Sequence, residues 1–425
     1  MTAVAIHRPQ VAVTATATAR WVGGLFLCCV LLQRFAASDG ISILVPVVLL
    51  WVVAAVYFGV AEIDSRRLTL CASAIVFTGL GMLAQTAWVT NVSISINSWA
   101  LVLATYLPFV VRLVDRSRET YALALGYIVR VGLGLAGLCL VMMSSMLVGV
   151  PYSDVLAKSV PSSLLLHNYS ITYPIAWESP IYKANGWIGL EPAVVSLQLG
   201  VALVAAVLLD RRLRTILVLA VAMICTVAGS GIELVIIAIL VMLVLPRRNA
   251  LRRCGPILAA AVGILLATPF GQLFLGRVTE SDSPTASTSL RFGTAYSELW
   301  GPWTVDPITP LLGLGPGAAQ RIVDGTGILG LLTPTPAKIF VEYGIVAGLV
   351  LAVFLISCYF GAPSRALAIA LFLSLWTVQA SLSSTVLVSN VLILITLWSP
   401  RLEQPIDDLP VTTGPAEEAR LEHAK

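Results

Sequence analysis

Charge is what this 425-residue chain has least of: 11% of its residues are Asp, Glu, Lys or Arg, against 58% hydrophobic, and the mean hydropathy is +0.92. Soluble domains carry about 25% charged residues, so a water-soluble enzyme is ruled out. Histidine is scarce, with only His7, His167 and His423, which argues against a histidine-built metal centre; no metal and no cofactor are expected. The seven cysteines (Cys28, Cys29, Cys71, Cys139, Cys225, Cys254 and Cys358) lie in or beside apolar segments and never in the long polar stretches. Neither a disulfide framework nor a zinc site fits that placement. The first twenty residues lack a signal-peptide pattern ending in a small-residue cleavage site, so the first apolar run is expected to be a retained span. In-out alternation is missing too, which removes a transmembrane barrel.

What the chain does have is a succession of continuous apolar runs. A helix needs about 20 apolar residues to cross a bilayer. The runs predict spans near 21–38, 41–61, 69–89, 98–114, 121–150, 186–209, 213–229, 231–245, 255–276, 338–360, 365–381 and 384–399. The expected fold is an all-α polytopic membrane protein of about 12 transmembrane helices with two long external loops. Its organisation reads as an N-terminal segment 1–20, spans in 21–150, an external loop 151–185, spans in 186–276, a large external loop 277–337, spans in 338–399 and a flexible tail 400–425. Arg214–Leu245 is read as two short helices around a Gly229-Ser230-Gly231 turn. A single helix there would be ~48 Å long, and both ends of the stretch are arginine-rich. Ala380–Thr385 is given the same role between the last two spans.

The basic residues set the orientation. Arg66 and Arg67, then Arg112, Arg116 and Arg118, then Arg211, Arg212 and Arg214, then Arg247, Arg248, Arg252 and Arg253, and finally Arg365 all fall in loops on the side of the N-terminus. The short connections on the other side, around Ser38–Gly40, Thr90–Asn97, Gly229–Gly231 and Ser381–Ser384, hold no Lys or Arg. Positive-inside bias over short loops therefore predicts that both termini are cytoplasmic. Both long loops would then face outward. The first is rich in aromatics (Tyr169, Tyr173, Trp177, Tyr182, Trp187). The second holds Arg291–Trp300, where Phe292, Tyr296 and Leu299 recur at helical spacing.

A charge at the centre of a span costs about 2.5–3.5 kcal/mol on insertion scales, so embedded charges call for a reason. Arg34, at the outer end of the first span, is expected to snorkel. Arg130 lies about nine residues into the fifth span, where snorkelling is harder; pairing with a carboxylate and binding of an anion are both open. Glu191 opens the sixth span in Gly186-Trp-Ile-Gly-Leu-Glu-Pro192, Glu233 follows the Gly-Ser-Gly turn, and Glu342 lies one turn inside the tenth span. The three acids fall at similar depth on the side of the long loops, which predicts a shared external cavity. Gly313-Leu-Gly315-Pro-Gly317 lacks the strand before and the Gly-Lys-Ser/Thr after that a nucleotide loop would need. It is read as a tight turn that permits close backbone approach.

Together these pieces resemble the O-antigen polymerase and ligase superfamily of membrane glycosyltransferases, over roughly residues 185–360. The resemblance rests on Gly189-Leu-Glu191-Pro192 opening a span and on Ala228-Gly-Ser-Gly231 between short spans. It continues with Arg291 and its amphipathic stretch, with Pro310-Leu-Leu-Gly-Leu-Gly-Pro-Gly317, and with Glu342-Tyr-Gly344-Ile345 after the large loop. It implies an undecaprenyl-diphosphate-linked oligosaccharide as substrate, membrane lipid around it and a chain-length regulator as partner; no nucleic acid is expected. A carboxylate would activate the acceptor hydroxyl and cations would receive the diphosphate leaving group without a metal. On that resemblance Arg291 is the principal diphosphate clamp and Glu191 the base, with Arg130, Arg321, Glu342 and Glu233 around the substrate. The chain departs from the ligases in lacking a His at Leu332–Ala337, which favours a polymerase, and has Gly231 where the family carries Arg. A ligase or a lipid-linked oligosaccharide flippase are the alternatives, though the two similar halves common in transporters are missing.

Overall fold

The computed structural model describes residues 14–244, 293–378, 382, 384–400 and 406–408, apart from 39, 90, 91, 93, 168, 170, 176–178, 329 and 330. Within them the chain is a helical bundle. The first half holds α1 (Ala15–Leu31), α2 (Leu44–Tyr57), α3 (Ser65–Trp88), α4 (Ile96–Tyr106) and α5 (Arg118–Leu147). A one-and-a-half-turn α6 (Val155–Ser159) precedes α7 (Pro192–Leu208), α8 (Leu213–Cys225) and α9 (Gly229–Val244). After the undescribed stretch come α10 (Ala295–Trp303), α11 (Thr309–Leu312), α12 (Ala318–Gly325), α13 (Thr335–Ser357), α14 (Arg365–Leu373), extended by a π turn, and α15 (Thr385–Leu394).

Local chemistry sets most of these starts. Thr14, Asp64, Ser95 and Ser117 accept from backbone N–H groups in the first turns of α1, α3, α4 and α5, and Pro192 occupies the first turn of α7, where its missing N–H costs nothing. The apolar periodicity does the rest. Helix α7 is buried almost all round its circumference, the signature of a central helix, and packs against α5, α8 and α9. Helix α13 packs along α3. Helices α3, α5 and α13 are long and apolar enough to cross a membrane, and α1, α2, α7, α8, α9, α14 and α15 are shorter apolar helices. Leu50, Leu80, Leu83, Val141 and Leu349 are each more than half exposed. An outer surface this apolar points to a membrane protein.

Each predicted run within the described residues overlaps an apolar helix, with α4 matching the run 98–114; the run 255–276 lies outside them. Three readings need correcting. Two small antiparallel pairs interrupt the all-α picture: Ala36–Ser38 with Ile41–Ser42, and Ala61–Ile63 with Val111–Leu113. The second pair lets the short loops before α3 and before α5 satisfy each other's backbone groups. The turn between α8 and α9 is Thr226–Ala228, with Val227 at φ 46°, and Gly229-Ser230-Gly231 forms the first turn of α9. The glycine there serves packing: a Cβ on Gly231 would sit 2.0 Å from the Ser196 carbonyl oxygen of α7, so the two helices cross almost backbone to backbone. Arg34 does not snorkel. It is 1% exposed and makes a bidentate pair with Asp154 at 2.9 and 2.7 Å, while also donating to the Trp187 carbonyl at 2.9 Å.

Candidate functional site

Helix α13 is broken. Gly344 has φ 69° and ψ −179° inside it, which leaves the carbonyls of the preceding turn without their helical donors. The Gly313–Gly317 turn fills the gap. The N–H of Leu314 donates to the Val341 carbonyl at 2.8 Å and that of Gly315 to the Glu342 carbonyl at 3.1 Å. From α3, Gln85 Nε2 donates to the carbonyls of Leu312 and Glu342, the latter at 2.9 Å. The approach is so close that a Cβ on Gly313 would stand 2.5 Å from the Gly344 nitrogen, and one on Gly344 2.3 Å from the Leu311 oxygen. Two glycines about 30 residues apart in sequence are therefore required by one contact. The tight-turn reading of this glycine run holds, and the turn docks against the Glu342-Tyr-Gly344 stretch.

Three charges meet beneath this junction. The Glu342 side chain is fully buried, with Lys338 Nζ 3.7 Å away one turn earlier in α13. It also faces the N–H groups of Gly317 and Ala319 and the guanidinium of Arg321. Neither carboxylate oxygen completes a hydrogen bond of good geometry. One negative charge is thus held out of water by an ammonium, a guanidinium and the positive end of α12. Lys338 is itself buried, whereas Arg321 is exposed. Helix α4 closes the other side of the turn, with the Ser95 N–H donating to the Pro316 carbonyl at 3.0 Å.

The depth of this cluster follows from α3. Arg66 lies in its first turn and Gln85 in its last, about 28 Å apart at 1.5 Å per residue. The Glu342 cluster and the arginine-bearing loops therefore occupy opposite ends of the bundle.

The expected site residues are only partly gathered. Glu342 and Arg321 meet as described. Glu191 stands at the start of α7, half-buried, beside Tyr169, whose phenol is held above its usual range by burial first and by the Glu191 carboxylate second. Glu233 is half-buried in the second turn of α9. Arg130 is exposed on α5, its guanidinium 5.0 Å from the centre of the Tyr127 ring, so it is not buried against a carboxylate inside the bundle. Arg291 lies outside the described residues. Helix α10 forms as the spacing predicted, but it packs through Ala295 and Leu299 against Ala319, Val323, Ala337 and Val341 of α12 and α13; Phe292 is not described. Sequence reasoning missed Lys338, for which the i,i+4 spacing to Glu342 was the available signal. It also missed Gln85, an amide alone in an apolar helix.

The fold and this cluster define a class, an apolar helical protein with a buried charge cluster at one end of its bundle. No protein-family model, characterised protein or solved structure matches the chain.

Proposed function

We propose that the chain is a membrane glycosyltransferase of the polysaccharide-polymerase kind, moving a growing glycan from undecaprenyl diphosphate onto the terminal sugar of another lipid-linked repeat. The observation that supports it most is the docking of the Gly313–Gly317 turn into the break in α13, which gathers Glu342, Lys338 and Arg321 opposite the arginine-rich loops. Positive-inside bias puts those loops in the cytoplasm, with about 12 spans and both termini on that side, so the cluster faces outward in the plasma membrane.

In this reading an acceptor hydroxyl attacks the anomeric carbon, its proton passes to a carboxylate, and the bond from that carbon to the diphosphate breaks. The diphosphate leaves as an anion and needs only cations to receive its charge. Arg321 is exposed and already in the field of Glu342, and Arg291 belongs to the same large loop in sequence, so these two receive the diphosphate. Glu342 is too deeply buried to meet an acceptor and instead holds Lys338, Arg321 and the turn in place. Glu191, half-buried at the start of α7, is the base.

The test is polymer length in cells carrying Arg291→Ala or Glu191→Gln at normal protein level. Single repeats on the carrier are expected, and unchanged long chains from both variants would refute the assignment. Full-length chains left on the carrier would indicate a ligase, and repeats trapped inside a flippase.

A further inference from the structure

At the opposite end of the molecule, α13 opens onto a crevice against α3 and α14 that the proposed transfer reaction does not use. Two cavities of 350 and 530 Å³ are both lined by Ile356 and Phe360 at the end of α13. The smaller continues between Tyr359, Phe372 and Ile369 toward α14 and has Arg365 in its wall; the larger continues along Leu70 and Val353 toward α3 and has Arg66 in its wall. Each is within the size range of a small-molecule site, and each combines an apolar lining with one arginine. We propose that this crevice binds an anionic glycerophospholipid, with one acyl chain in each arm and the phosphate between Arg66 and Arg365.

Charge complementarity favours that occupant. Arg66 and Arg365 are both exposed, and a guanidinium fork matches a phosphate in geometry as well as in charge. Glu62 and Asp64 pair with Arg112 at 2.8 and 3.1 Å. Asp407 accepts from the Ser364 hydroxyl at 2.9 Å and from the backbone N–H groups of Arg365 and Ala366, capping α14 from within the protein. Basic pockets between helices at this level of a bilayer suit anionic headgroups, each arginine being worth about a five-fold gain in binding. Phe360, 70% exposed between the two arms, gives the acyl chains a wedge to straddle. A zwitterionic lipid would fill the apolar arms equally well but would bring a cation toward the two arginines.

The full-length protein, purified in detergent, is titrated with phosphatidylglycerol, with phosphatidylcholine of the same chains, and with glycerol phosphate, and bound ligand is read by native mass spectrometry. Phosphatidylglycerol should bind more tightly than phosphatidylcholine, and glycerol phosphate should not bind, because the chains supply the apolar contacts. Arg66→Gln should weaken phosphatidylglycerol by about five-fold and the double variant with Arg365→Gln by roughly thirty-fold. Arg214→Gln, an exposed arginine outside the crevice, should leave it unchanged. Equal binding of the two lipids, an unchanged preference in the double variant, an equal loss in Arg214→Gln, or a second copy of the chain that excludes lipid would each overturn the proposal.

Discussion

A guanidinium that is 1% exposed must be satisfied from within the protein, and Arg34 is satisfied by a loop residue 120 positions away. Its pair with Asp154 ties the C-terminal end of α1 to the start of the 151–185 segment, and its third bond, to the Trp187 carbonyl, holds a residue at φ 62°, a conformation that costs a bulky side chain free energy. Removing the cation strands Asp154 and frees the loop. Arg34→Gln is expected to cost about 2–3 kcal/mol, less than a fully buried pair because Asp154 is partly exposed, read as a lower Tm of the purified protein. Burial pushes the Asp154 carboxyl up, but the Arg34 guanidinium and the Ala157 N–H outweigh it and hold the group below its usual range. A depressed folded-state value means that the contribution is complete above the unfolded carboxylate's pKa of about 3.9 and is lost as pH falls through the lower, folded one. Proteolysis of the 151–185 segment should therefore be flat from pH 7 to pH 5 and rise below about pH 4. Sequence alone could flag Arg34 as costly but could not find its partner, because Asp154 sits in a polar loop with no periodicity to fix its direction. The exposed Arg130 shows the converse: depth along a helix says nothing about which face a side chain takes.

The break in α13 matters more to the site than any single side chain. With φ at 69° and a carbonyl oxygen 2.3 Å from where a Cβ would lie, Gly344→Ala adds backbone strain to a clash with the docked turn. The expected cost is upwards of about 2 kcal/mol, with protease cuts appearing near residue 315; Gly313→Ala should reproduce both effects. An unshifted Tm in either variant would mean that the turn does not dock. The apolar helices of the described residues were legible, since runs of this length leave few alternatives, whereas α6, α11 and α12 lie in stretches read as loops. The glycine-rich turn was legible as a turn, because Gly-Pro-Gly allows little else. Its docking on Gly344 was not, because a helix break with no proline leaves no mark on hydropathy. The Gly229-Ser230-Gly231 segment misled for the same reason: glycines that read as a turn serve instead to let α7 and α9 touch.

Taken whole, the molecule has two chemically distinct ends, one lined with arginines and the other holding the Glu342 cluster. The proposed orientation makes these cytoplasmic and external. Cysteines introduced at Ser159 and Thr304 should then react with an impermeant maleimide applied to intact cells, whereas one at Arg214 should react only after permeabilisation; the reverse pattern would invert the topology and move the cluster away from any outward-facing substrate. The most direct measurement of the proposed transfer is reconstitution. Purified protein in vesicles, given undecaprenyl-diphosphate-linked repeats and nothing else, should release undecaprenyl diphosphate in step with glycan elongation, and Arg321→Ala should slow both together by at least about ten-fold. Vesicles that elongate no glycan and release no diphosphate, with the protein shown to be folded, would contradict the account.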